Sequence, residues 1–380
     1  MAMKPFVAVH AGAGYHSFSK ETDYTKTSKT ACQVGIMSLK NNVSALNAVV
    51  SVLAVLEDAT CTNAGIGSNL TLNGTVECDA SVMDGHTRAY GAVGAVSGIK
   101  NPVCIAKTLI DAQLKGLSLG RVPPSILVGR GAYDWALKQG LNHVSDSILV
   151  TESSQKTYEN YKQKLLALDN RLICKAKRKY LEKKSVINHR KDSSSNIEEV
   201  ENSDDISQHQ DTVGAICVDK QGNIACAVSS GGLSLKQPGR LGSAAVFGAG
   251  CWAANNTADS AGIGVVTSGT GEYLIRTIFA KEFAECILSE EDTTLAVNKA
   301  FERKFFGSPL LSNIKDKYAG ALLIKLVEAN EIELVSAHCT SSMCVGYAID
   351  GKEPKAYISR LSSSQKPGKS LSIQGKHFFL

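Results

Sequence analysis

Asp211-Thr212-Val213-Gly214-Ala215-Ile216-Cys217-Val218-Asp219 is the stretch on which the reading of this chain turns. Val213–Val218 is an apolar run of strand length, rich in β-branched residues. Lys220-Gln221-Gly222 reads as a tight turn, and Asn223–Val228 as a second strand leading into Ser229-Ser230-Gly231-Gly232. Two short apolar runs joined by three residues, with Gly in the third place, predict a β-hairpin. If Asp219 faces Asn223, Thr212 falls opposite Ser230; a slip of one residue puts Ser229 there instead. In either register a threonine at the mouth of one strand lies beside a serine on its neighbour.

A threonine within a chain has no group obliged to take its proton. At a chain start it carries an α-amine of pKa about 7.7–8.0 beside the carbon bearing the hydroxyl. Cleavage between Asp211 and Thr212 would create such a residue at the end of a rigid strand. The residues before it, 185–211, are mostly Ser, Asn, Asp, Glu and Gln, as suits a segment that enters a site and leaves it. Taken alone, Asp-Thr is an ordinary loop end, so the rest of the chain has to carry the argument.

The 380 residues suffice for one large domain or two ordinary ones. A hydrophobic fraction of 43% with 20% charged residues describes a globular chain, and no apolar run approaches membrane-spanning length. Met1-Ala-Met-Lys-Pro5 leads straight into a strand, so no secretory leader is expected. The 11 cysteines are an odd number without C-x-x-C spacing, which predicts reduced core thiols, no zinc site and a reducing compartment, cytosol or nucleus. No cofactor or metal motif is visible.

Charge is unevenly laid out. Residues 171–191 hold nine Lys and Arg, including Lys175-Ala-Lys-Arg-Lys179 and Lys183-Lys184, whereas residues 192–211 hold seven carboxylates and no Lys or Arg. The segment 150–211 therefore reads as a solvated basic-then-acidic insertion. Its basic run resembles a nuclear-import or nucleic-acid patch, with an import receptor as the implied partner, and competes with the plainer reading of a solvated helix face.

From the start, Phe6–His10 reads as a buried strand ending at the flexible Ala11-Gly-Ala-Gly14, and 23–41 and 43–58 as helices. Strands are expected at 75–83 and 88–96 and helices at 101–116 and 131–140, with a long helix over 157–184. Beyond the hairpin come a Gly/Ala-rich strand, Ala244–Cys251, a strand over 262–267 and one helix over 272–288. Ser268-Gly-Thr-Gly-Glu272 between them exposes backbone N–H groups that suit a developing oxyanion. A helix over 293–306 and strands near 319–327, 331–338, 343–349 and 355–359 close the chain. Clustered strands between helix pairs predict packed sheets with helices outside, an α+β fold.

Asp211-Thr212-Val-Gly, Ser229-Ser230-Gly-Gly, Pro238-Gly239-Arg240 and Ser268-Gly-Thr-Gly-Glu272, in this order, resemble the type 2 asparaginases among the N-terminal nucleophile hydrolases. His10-Ala-Gly-Ala-Gly14, Asn63-Ala-Gly-Ile-Gly67 and Asp79-Ala-Ser-Val-Met-Asp-Gly85 add to the likeness, which covers nearly all of the chain outside about 150–211. The resemblance implies a four-layer αββα sandwich. It implies self-cleavage into an α subunit, 1–211, and a β subunit, 212–380, that stay together as one folded domain. It implies further that the pair works as an αβ heterodimer or a dimer of heterodimers.

By the same resemblance Thr212 is the nucleophile and its freed amine the base, and Ser230 is the second hydroxyl. Ser268 and the Gly269 N–H form the oxyanion hole, Gly271 lines the pocket, Arg240 grips a substrate carboxylate and Asn63 supports the site. Some relatives hold a structural sodium on backbone carbonyls in the region matching 56–67.

Two departures refine the resemblance. Asparaginases that act on free amino acids or isoaspartyl dipeptides place an aspartate three residues after the arginine, for the substrate's α-ammonium; this chain has Ser243. Ser268 stands where threonine is usual. With the long insertion, these make the chain similar to the threonine aspartases (taspases), endopeptidases that cut after aspartate. That likeness implies nuclear protein substrates such as mixed-lineage-leukaemia-type histone methyltransferases and the TFIIA precursor, in nucleus and cytoplasm, and no membrane partner. The two rivals are a small-substrate asparaginase or isoaspartyl peptidase, and a catalytically idle nuclear adaptor.

Overall fold

In the computed structural model, which describes residues 3–185, 212–328 and 330–379, the first strand decides the layering. Phe6–Gly14 (β1) is buried along its whole length because antiparallel neighbours flank it on both sides. It runs through the glycines that were expected to end it: Ala13 and Gly14 still pair with Met343 and Ser342, after an irregularity that follows His10. Helices Glu21–Lys40 (α1) and Ala45–Glu57 (α2) follow, then strands Cys78–Asp84 (β2) and Tyr90–Val96 (β3). Pro102–Lys115 (α3), a short strand Ile126–Val128 (β4) and Gly129–Lys138 (α4) complete the first unit.

Asp146–Leu149 (α5) leads into Glu152–Ser185 (α6), where the long helix was expected. The start of α6 is docked: Tyr158 and Tyr161 are buried, and the Tyr158 hydroxyl donates to Leu72 O at 3.2 Å. The acidic stretch and the proposed scissile bond at Asp211 lie outside the described residues.

The hairpin is formed by Val213–Val218 (β5) and Ile224–Ser230 (β6). Asp219 N donates to Asn223 O and Gly222 N to Asp219 O, each at 3.0 Å, while Asp219 Oδ1 accepts from Gln221 N and Asn223 N. Gly222 takes φ +80°, a conformation glycine adopts without Cβ strain, and this three-residue loop sets the register. Val213 faces Ser229, so Thr212 comes opposite Ser230.

The remaining elements are Cys251–Ala254 (β7), Gly262–Gly269 (β8), Gly271–Thr277 (α7), Phe279–Leu288 (α8) and Thr293–Ala300 (α9). Ala319–Glu328 (β9), Glu331–His338 (β10), Ser342–Ile349 (β11), Lys355–Arg360 (β12) and Ser372–Phe379 (β13) end the chain. Two expectations are corrected here. Ala244–Cys251 is not a strand: Ser243–Ala245 is a single 3-10 turn and the strand begins only at Cys251. Gly250 packs so tightly on this turn that an added Cβ would lie 2.7 Å from Ser243 O. Nor is 272–288 one helix, since Ile278, in the left-handed region at φ +46°, separates α7 from α8.

Strands order as β12-β11-β1-β5-β6-β2-β3-β4 in one sheet and β13-β10-β9-β8-β7 in the other. Alternate residues of the first sheet face opposite sides. Val7, Val9, Val213, Ala215 and Cys217 pack under α1, α2 and α3, whereas Phe6, Ala8, Ile216 and Val218 meet Val266, Leu322 and Ile324 of the second sheet. The outer face of that sheet, with Ile263, Val265 and Leu323, is covered by the phenylalanines Phe279, Phe283, Phe301 and Phe305. Three apolar interfaces join four layers, αββα. Strands from either side of residue 212 interleave in the larger sheet, β5 pairing with β1 and β6 with β2.

Candidate active site

At the ends of β5, β6 and β8 a narrow cleft opens between the two sheets. Thr212 and Ser230 meet at its floor, where the Thr212 hydroxyl donates to Ser230 Oγ at 3.1 Å. Ser230 Oγ also accepts from Gly232 N at 3.0 Å, so the strand end and the turn after it are tied to the same oxygen. Both side chains are almost wholly buried. Asn63 holds that turn from the other side: its Nδ2 donates to Gly232 O at 2.8 Å and its carbonyl accepts from Gly231 N at 2.7 Å. Its Oδ1 in turn accepts from Asn69 N.

Of the residues singled out in the sequence, Asn63, Thr212, Ser230, Arg240, Ser243, Gly269 and Gly271 line this one cleft. Ser268 does not reach its surface. It is fully buried behind Gly269, where its Oγ accepts from Ala13 N at 2.9 Å. Gly269 sits at φ +138°, and an added Cβ would lie 2.5 Å from Tyr318 O, so both its conformation and the space around it require glycine.

Sequence reasoning missed several residues. Asp79, opposite Ser230 on β2, accepts from Ala95 N at 2.8 Å and Gly242 N at 2.7 Å, holding the loop that carries Ser243. Burial raises its carboxyl above the ordinary range, opposed by Lys236, the two N–H donors and Arg240. Lys236 is buried, with Nζ donating to Glu77 O at 2.6 Å. Glu272 receives Nε and Nη2 of Arg240 at 2.8 and 2.7 Å. Its place in Ser268-Gly-Thr-Gly-Glu272 suggested only a helix start. Nothing local announced its partner, which lies 32 residues away.

The electrostatics restrict the choice of a base. His10 is fully buried next to β5; burial lowers its pKa to about 3 against a smaller opposing effect of the Thr212 backbone, leaving a neutral and weakly basic imidazole. Arg240 is the charged side chain among the cleft's described lining residues, and no carboxylate, histidine or lysine lines it. Nor does any group of three or more His, Cys, Asp or Glu among the described residues have the arrangement of a metal site.

The family described as Asparaginase matches residues 3–307, which span β1 to β8, the hairpin and the residues that line the cleft. The chain belongs to the asparaginase family. It is 34% identical over 286 residues to the isoaspartyl peptidase of Escherichia coli, covering 74% of this chain and 76% of that protein. To the isoaspartyl peptidase/L-asparaginase of Xenopus laevis it is 33% identical over 282 residues, 73% and 74% of the two chains. To the human protein of that name it is 30% identical over 322 residues, 83% of this chain and 89% of the other. This asparaginase-family chain is thus a hydrolase of the N-terminal nucleophile type, with the sandwich that the type uses. Its cleft brings a paired hydroxyl, an arginine and a glycine-walled corner within one small volume.

Proposed function

We propose that the chain is the precursor of a threonine hydrolase that cuts itself between Asp211 and Thr212 and then cleaves peptide bonds that follow aspartate. The observation that carries this reading is the pairing of Thr212 with Ser230 in a cleft whose described lining offers no side-chain base and one cation, Arg240. A hydroxyl there can be activated by its own α-amine, which exists once the preceding bond is broken.

In self-cleavage the Thr212 hydroxyl attacks the Asp211 carbonyl. The N→O acyl shift leaves an ester and a free amine, and water hydrolyses the ester to release the Asp211 carboxylate. In turnover the same hydroxyl attacks the substrate carbonyl, and the amine takes its proton and passes it to the leaving amine. Water then hydrolyses the Thr212 ester to release the acid product and free the hydroxyl. The Gly269 N–H is assigned to the oxyanion, with Ser268, buried beside it and hydrogen-bonded to Ala13 N, supporting that corner. Arg240 receives the acidic side chain of the residue being cut.

Two readings of the substrate compete. The names of the relatives favour isoaspartyl dipeptides or asparagine. Those substrates bring an α-ammonium into the site, and the cleft offers Ser243 and no carboxylate to meet it. An unpaired buried charge costs several kcal/mol. A peptide amide nitrogen carries no such charge, so the endopeptidase reading leads.

Intact mass of the wild type beside Thr212→Ala tests the nucleophile: two pieces parting at 211/212 are expected in the wild type alone. Splitting of Thr212→Ala at that bond would sink the mechanism. Hydrolysis of a peptide containing Asp-Gly, compared with ammonia release from asparagine and cleavage of an isoaspartyl dipeptide, decides the substrate.

A further inference from the structure

Arg240 does not present its whole fork to the cleft. Glu272 takes the Nε and Nη2 edge in a two-pronged pair, at 2.8 and 2.7 Å. The opposite nitrogen, Nη1, lies between two glycines that line the cleft: a Cβ built on Gly232 or Gly242 would be 3.0 or 3.1 Å from it. Gly271 closes the third side, where an added Cβ would stand 2.8 Å from Nη2. The guanidinium is therefore clamped in its own plane, with one nitrogen directed at the substrate volume. We propose that Glu272 is the positioning residue that fixes Arg240 in this half-occupied state, and that the fixed Nη1 selects a short acidic side chain next to the scissile bond. This rests on the reading of Arg240 as the group that receives the substrate's acidic side chain.

The physical argument is one of reach. A free arginine side chain follows its ligand through several rotamers, and would accept carboxylates on stems of different length. A planar fork held at two nitrogens gives up most of that freedom. The distance from Nη1 to the Thr212 hydroxyl is then nearly constant, and one extra methylene in the substrate pushes the reacting carbonyl away from the nucleophile. Misplacement by about 1 Å costs about a hundredfold in rate. Charge supports the same assignment. Glu272 offsets Arg240, so the empty cleft holds no naked cation, and Lys236, whose Nζ lies 3.2 Å from the Cβ position of Gly232, is directed at Glu77 O instead. The pair is an internal counterpart of the one the substrate must make, formed on the edge the substrate does not use.

The test compares wild type with Glu272→Ala and Glu272→Gln, each first shown folded by its melting curve. The substrates are peptides with Asp, Glu or Asn before the cut, with sodium sulfate as an anion probe. Glu272→Ala is expected to raise KM for the Asp peptide about tenfold with kcat within about twofold, the split expected when ground-state placement is lost. Discrimination between Asp and Glu should narrow, and sulfate inhibition should appear because the Nε and Nη2 edge is open. Glu272→Gln, which keeps length and one acceptor, should lie between. Unchanged KM and selectivity in Glu272→Ala overturn the proposal, as does a fall in kcat at constant KM. If the wild type cuts no Asp peptide but hydrolyses isoaspartyl dipeptides, the parent reading fails by itself. The same two variants then test the clamp through KM for the dipeptide and through sulfate inhibition.

Discussion

The Thr212 hydroxyl points at Ser230, 3.1 Å away, and Ser230 is held in turn by Gly232 N. The contact joins the first residue of one hairpin arm to the last of the other, so the turn at Asp219–Asn223 indirectly sets the geometry of the nucleophile. Ser230→Ala removes the acceptor and leaves the backbone as it is. Self-cleavage, followed by intact mass over time, should slow by about tenfold to a hundredfold, the worth of one buried hydrogen bond in a transition state. An unchanged rate would show that Ser230 serves only the turn.

Asn63→Ala tests the support beneath that pair. The side chain donates to Gly232 O and accepts from Asn69 N, so its loss leaves one buried and one half-buried backbone group without those partners. A loss of about 1–3 kcal/mol in urea denaturation is expected, with slower self-cleavage. A stability unchanged within error would mean that Asn69, which also donates to Gly232 O, suffices alone.

Gly269→Ala should be more severe. The added Cβ would meet Tyr318 O at 2.5 Å from a backbone at φ +138°. A cost of about 2 kcal/mol or more is expected from strain of this kind, with loss of self-cleavage. A melting temperature equal to the wild type would show that the β8 end can shift.

Stability should peak near neutral pH for identifiable reasons. Burial pushes the Glu57 carboxyl up from 4.5 to about 8, although the Ser229 hydroxyl, Val103 N–H and Asn101 oppose it; the charge of Asp58 adds to the rise. Cys78 and Cys104 also face it, and both thiols are raised. Between those two values the unfolded chain has lost the proton that the folded one keeps, so this group's stabilisation falls as pH rises and is gone above about 8. His10 and His338, lowered by burial from 6.5 to about 3 and about 4, act in the opposite sense. Their contribution is complete above 6.5 and falls as acid protonates the unfolded chain first. Together the three place the maximum near pH 6.5. Glu57→Gln should flatten the alkaline arm in denaturation curves taken at pH 6.5 and 8.5, and an arm equally steep in the variant would refute the assignment.

Much of this architecture is local enough to read from the chain. The β5–β6 hairpin follows from Asp219 and Gly222, whose side chain and backbone freedom build the turn without help from elsewhere. Helices α1 and α2 follow from their apolar periodicity. The break at Ile278 was not readable, because a β-branched residue in the left-handed region goes against its own preference and is held there by its surroundings. The strands β4 and β13 were missed as well: β13 lies at a sheet edge and is largely exposed, so it lacks the apolar signature of its neighbours.

The sequence by itself determined the hairpin and the placing of Thr212 beside a serine, since both depend on turn chemistry a few residues long; the choice of Ser230 over Ser229 came from the folded register. Only the tertiary structure decided what the residues of the site touch. Ser268 is set by Ala13, 255 positions away, and Arg240 by Glu272 across the cleft. Such pairs arise where two sheets stack and distant strand ends converge, and no local propensity encodes which long-range partner will arrive.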